Sequence, residues 1–215
     1  MGSFFKGLMG GFSGKVGNLI GSSWKSIDYM RSLPKKSSKA ASEKQLKQQL
    51  KFALAVDFMR PISKLVNLGY IAESKDKVSG YNVAVSQVLH EAIKGVYPTF
   101  EIDYPKVKIS RGILAPMSNQ GAQSIISNTL EVIWRNNTVD EDLAHDDDQL
   151  MLLVFNPVKN RYIYKENVAL RKDGKVSREV PKDFCGDPVH VYGAFVNRDR
   201  NMVSNSTYLG EVVIS

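Results

Sequence analysis

The sequence predicts an α+β protein: a C-terminal antiparallel β-sandwich of immunoglobulin-like type, preceded by two or three helices and a glycine-rich basic N-terminal arm holding a β-hairpin. Three observations carry that expectation. Short β-rich segments separated by turn residues recur from residue 98 to the end. Apolar residues recur at helical spacing between 42 and 94. Glycines and cations crowd the first forty residues. The expected division is therefore an arm over 1–41, a helical layer over 42–97 and a sandwich over 98–215.

The arm opens with a glycine-rich, apolar stretch that holds seven glycines by position 21. Such a stretch reads as a loosely structured or docking-dependent segment. From Val16 the pattern turns β-like, and Gly17–Trp24 with Ile27–Leu33 are expected to pair as a hairpin around Lys25-Ser26. Pro34 closes this part, and Lys35 to Ala41 reads as a basic linker.

Ser42 is suited to cap the first helix, with Glu43 favourable at the positive end of its dipole. Leu46, Leu50, Ala53 and Leu54 fall on one face, with Lys44, Lys47 and Lys51 elsewhere around it. Pro61 ends or kinks the helix after Arg60, and a short second helix from Pro61 to Leu68 stops at Gly69. In the third helix Asn82 is the expected cap, Val85, Val88, Leu89, Ala92 and Ile93 form the apolar stripe, and Gly95 is the stop. Strands are then expected at 106–110, 129–134, 149–155, 161–164, 167–171, 176–180, 188–196 and 207–214. In His190–Val196, Val191, Gly193 and Phe195 alternate with residues of the opposite face.

At 215 residues, with 43% hydrophobic and 24% charged, the chain has the composition of a globular protein able to bury a core without disulfides. Cys185 is its only cysteine, which excludes an intramolecular disulfide and makes a reducing compartment the simpler expectation. No apolar run is long enough for a transmembrane helix. Lys15 and the glycines interrupt every candidate signal-peptide core. Gly2 lacks the hydroxyl residue that myristoylation wants, because Lys6 stands there. A cytoplasmic or virion-associated protein is expected.

Motifs of catalysis fail one after another. Gly10–Val16 is not a phosphate-binding loop, since Met9 and Val16 occupy positions that need glycine and a hydroxyl. His90-Glu91 is not a zinc-protease helix, since Lys94 stands where the second histidine belongs. No nucleophile elbow is present. The acidic run 140–148 is the one weak metal candidate, through Asp146 and Asp148, although His145 and Met151 break the EF-hand pattern. A solvated inter-strand loop is the plainer reading, and pairing with the basic arm of a neighbouring copy is another. No enzyme, cofactor or catalytic residue is expected.

Charge is the sharper signal. Residues 1–65 hold 12 Lys or Arg against three acids, +9, while the remaining 150 residues carry 17 basic and 19 acidic groups, −2. All the excess of the net +7 thus sits in the first third. Candidate partner-binding residues are Lys15, Trp24, Lys25, Arg31, Lys35, Lys36, Lys39, Lys44 and Lys47. Cations mixed with aromatics suit nucleic acid, although hairpin aromatics more often serve packing.

Three stretches have a familiar order and spacing: Gly14 to Lys25 with Met30 to Pro34, Ser42 to Phe52, and Val189 to Tyr192 with Val203 to Gly210. Together they resemble a Bacteroidota family of unknown function. The resemblance implies a bacterial or phage origin and carries over no activity or site residue. The function expected is that of a non-enzymatic assembly protein (a virion, filament or decoration subunit) whose arm docks on a neighbouring copy or other structural partner. The alternatives are nucleic-acid binding through the basic third, and membrane-surface binding through residues 1–20.

Overall fold

The computed structural model describes residues 3–4, 10–24, 27–35, 40–74 and 78–215, and the chain divides into two compact units, 1–42 and 43–215. It is a mixed helix and antiparallel-sheet protein with three α-helices and four sheets among the described residues.

The first unit is an antiparallel meander of β1 (Ser3–Phe4), β2 (Phe12–Val16), β3 (Leu19–Trp24) and β4 (Ile27–Ser32), in that order. The expected hairpin is present as β3–β4, with Ile20 opposite Arg31 and Ser22 opposite Tyr29. A second hairpin precedes it. Gly17-Asn18 forms the two-residue turn between β2 and β3, and Gly17 takes a φ of +58°, which a glycine adopts without strain.

In the second unit, α1 (Glu43–Met59), α2 (Ser63–Gly69) and α3 (Gly80–Glu91) come close to the expected helices. Ser79 rather than Asn82 caps α3; its hydroxyl accepts from the Asn82 amide at 3.3 Å. Gly95 lies beyond the helix, at φ +96° in the short hairpin of β5 (Ile93–Val96) and β6 (Thr99–Ile102). Gly69 ends α2 where a Cβ would stand 2.0 Å from the Ile109 carbonyl oxygen, so only glycine permits this approach.

Two sheets follow. One has the order β10 (Arg161–Lys165), β9 (Gln149–Asn156), β12 (Pro188–Val196), β13 (Thr207–Val213); the other has β11 (Lys175–Glu179), β8 (Thr129–Arg135), β7 (Ser118–Gln123). Every pairing within them is antiparallel. Leu130, Val132 and Trp134 of β8 pack against Leu150, Leu152 and Val154 of β9 and Val191 and Phe195 of β12, forming one core between the sheets. Met151, Leu153, Phe155, Tyr192 and Ala194 look the other way and share a second core with Phe58, Met59, Leu65, Val66 and Val88 of the helices. The β9–β12 layer is thus covered on both faces. That explains why Leu150–Phe155 is continuously apolar, whereas β8, with one covered face, alternates.

Three expectations are corrected. Residues 106–110 form no strand, because a helical turn at 104–106 leads into an extended connection that reaches α2, where the Arg111 amide bonds the Gly69 carbonyl at 2.9 Å. Residues 167–171 connect the two sheets and touch β9 through one bridge, Leu170 to Gln149, and a few backbone hydrogen bonds instead of forming a strand. Strands at 93–102 and 118–123 were not anticipated, since the first was read as a helix end and the second is rich in Gly, Asn and Gln. No helix among the described residues is long and apolar enough to cross a membrane.

Candidate interaction surfaces

Cross-strand register gathers part of the arm on one face. Lys15 on β2, Ile20 on β3 and Arg31 on β4 lie in one row, and Tyr29 and Ile27 continue the same face of β4. Ile27 is 65% exposed, and on the opposite face Met30 is 66% exposed. Among the described residues of this unit only Gly21 is buried. Lys35 is exposed just beyond β4. Lys25, Lys36 and Lys39 lie outside the described residues, and Trp24 enters only through its backbone, paired with Ile27.

The second unit carries a cationic groove. Lys44, Lys47 and Lys51 line the side of α1 that faces the β5–β6 hairpin, and Gln48, Val96, Tyr97 and Phe100 complete a depression of about 320 Å3. Lys51 Nζ lies 5.0 Å from the Phe100 ring centre and Lys47 Nζ 5.6 Å from that of Tyr97, both within cation–π range. Lys47 also meets the Glu43 carboxylate at 2.7 Å, a hydrogen bond that holds the Glu43 carboxyl below its ordinary pKa. The expected apolar stripe of α1 is only half used: Leu46 and Leu50 are exposed and Leu54 is partly buried, while Ala55, Phe58 and Met59 reach the core.

Asp146 and Asp148 do not act together. Asp148 is fully buried and pairs with the equally buried Arg171, whose Nε donates to Asp148 Oδ2 at 3.0 Å. The same guanidinium donates to Asn137 Oδ1 at 2.6 Å and to the Ala115 carbonyl at 2.8 Å, and it stacks 3.9 Å from the Phe195 ring centre. Asp148 Oδ2 also accepts from the His145 amide. Asp146 instead accepts from Asn136 Nδ2 at 2.8 Å and from the Thr138 hydroxyl. Among the described residues no three His, Cys, Asp or Glu side chains converge as a metal site would need. Asp148 therefore anchors the acidic turn from within, and Asp140, Glu141, Asp142, Asp146 and Asp147 are its exposed acids.

His190 and Cys185 have ordinary surroundings. His190 is stacked on Tyr104 with ring centres 4.1 Å apart and shares a hydrogen bond with the Tyr208 hydroxyl at 2.8 Å. Burial lowers its pKa, and the charge of Glu211, opposite it on β13, offsets this in part. Cys185 is a free, exposed thiol. Sequence reasoning missed the groove and the Arg171 network. The alternating run Ile93-Lys-Gly-Val with Thr99-Phe-Glu-Ile around a Tyr-Pro turn was the available signal for the first. No local signal marks an arginine that is buried by residues 23 to 56 positions away.

The profile of a family described as "Family of unknown function (DUF6266)" matches residues 11–210. Among solved structures, the chain is similar to the solution structure of the fn3 domain of human collagen alpha-1(XX) chain, at 13% identity and a TM-score of 0.34, covering 47% of this chain and 88% of that one. No curated protein matches the chain.

Proposed function

The chain belongs to DUF6266, a family of unknown function, and we propose that it is a non-enzymatic assembly protein, a virion, filament or decoration type of subunit, whose N-terminal sheet docks on a neighbouring copy. One observation carries this reading: the four-stranded sheet of residues 3–32 exposes Ile27, Tyr29, Met30 and Leu19 and, among its described residues, buries only Gly21. A sheet is stabilised by a second layer over at least one face. A docking surface supplies that layer. Charge supports a second copy as the partner, because residues 1–42 hold seven Lys or Arg against one acid, +6, while the acidic turn of the second unit exposes Glu141, Asp142 and Asp147. Arm on body is a heterologous contact, which propagates from copy to copy and so builds rings or filaments. The two facing sheets, which we read as an immunoglobulin-like sandwich, serve as the rigid scaffold.

Light scattering of the full chain and of a chain lacking residues 1–41 tests this. The full chain is expected to form oligomers at micromolar concentration and the shortened chain to be monomeric. Monomers in both samples contradict the reading.

The groove of Lys44, Lys47 and Lys51 against Tyr97 and Phe100 favours a second reading. Cations beside aromatic rings hold single-stranded nucleic acid through phosphate contacts and stacking, with steep salt dependence.

A further inference from the structure

A cavity of about 200 Å3 lies inside the second unit, between β10 of one sheet and β8 and β11 of the other. Leu130, Leu152, Val154, Ile163 and Val180 form its apolar wall. Strand alternation decides what else enters it. Val176 and Val180 pack in the core between the sheets, so Arg178, two residues from each, also occupies an inward position. A sandwich normally fills such a position with an apolar side chain. Arg178 donates from Nη2 to the Val168 carbonyl at 3.1 Å, but its Nε is buried and makes no hydrogen bond. On the opposite wall Lys165 stands two residues beyond the inward Ile163 and lines the same cavity. The edge strand of each sheet therefore brings one cation to the cavity, Arg178 partly buried and Lys165 solvent-exposed at its rim. Glu179 also lines the cavity, from the outward-facing row of β11.

We propose that this cavity binds a small aliphatic carboxylate. The carboxylate accepts from Arg178 Nε and pairs with Lys165, and the hydrocarbon chain lies among Leu130, Leu152, Val154, Ile163 and Val180. A buried donor on a cation is costly to leave unmade, and a charge-assisted bond from an anion satisfies it. An apolar cavity of about 150 Å3 holds benzene, so this one suits a chain of roughly six to eight carbons. The binding site is independent of the arm and of whether copies assemble.

Calorimetric titration of the full-length protein with octanoate and, separately, with octanol tests the proposal. Octanoate is expected to bind at least about tenfold more tightly than octanol, since octanol has the chain without the charge. Arg178→Met keeps an unbranched aliphatic stem of similar reach and removes the guanidinium. It is expected to weaken octanoate about tenfold or more and to leave octanol unchanged, with circular dichroism confirming the fold. Lys165→Met, at an exposed position, offers the same comparison if Arg178→Met does not fold. Three results each overturn the proposal: no heat of octanoate binding at millimolar concentration, octanol binding as tightly as octanoate, or a folded Arg178→Met protein binding octanoate as tightly as the native one.

Discussion

Arg171 shows how one buried charge organises the end of the fold. Its guanidinium draws together Asp148 from the start of β9, Asn137 from the turn after β8 and the Ala115 carbonyl from the connection before β7. Its own carbonyl accepts from the Trp134 indole at 2.7 Å. Removing one member of such a pair leaves the other charge buried without compensation. Arg171→Met is therefore expected to cost about 3–5 kcal/mol of stability, read as a lowered urea midpoint by Trp134 fluorescence. Arg171→Met combined with Asp148→Asn recovers part of that loss, because no lone carboxylate then remains inside. A single variant as stable as the native protein would show that the pair does not hold this end together. The sequence marks Asp148 only as one acid in a run, and its neighbours in space come from elsewhere in the chain. Metal binding was weighed for that reason, whereas the carboxylate is already engaged by Arg171.

At the scale of elements, periodicity was the part of the fold most legible in the sequence. The helices emerge within a few residues of their expected places, and the long strands β9 and β12 match closely. What escaped is what periodicity does not encode. β5–β6 is too short to outweigh the helical stripe that precedes it, and β7 has a loop-like composition and is held by pairing with β8. The apolar stripe of α1 places Leu46, Leu50, Ala53 and Leu54 on one face, but no described element of its unit covers Leu46 and Leu50, so both stay exposed. The same hairpin that was missed turns three scattered lysines into a groove. If that groove binds single-stranded nucleic acid, gel shifts at low salt show a complex that disappears as salt is raised. Replacing Lys44 and Lys51 by Gln then weakens it roughly tenfold or more, each lost phosphate contact also lowering the salt slope by about one. Absence of any complex at low salt removes the second reading.

For the whole molecule, most of the excess charge follows the structural division: residues 1–42 hold seven Lys or Arg against one acid, +6 of the net +7. The unit of residues 43–215 holds both hydrophobic cores, while the unit of residues 1–42 exposes apolar side chains on both faces of a small sheet. A sheet so little buried exchanges its amides freely unless something packs on it. Hydrogen exchange of the amides in 19–24 and 27–32, followed across a range of protein concentrations, therefore reads docking of the arm between copies. Protection there is expected to rise with concentration, in step with oligomer formation, while the amides of β9 and β12 stay protected throughout. Protection of the arm that is the same in dilute monomer and in concentrated solution would contradict it.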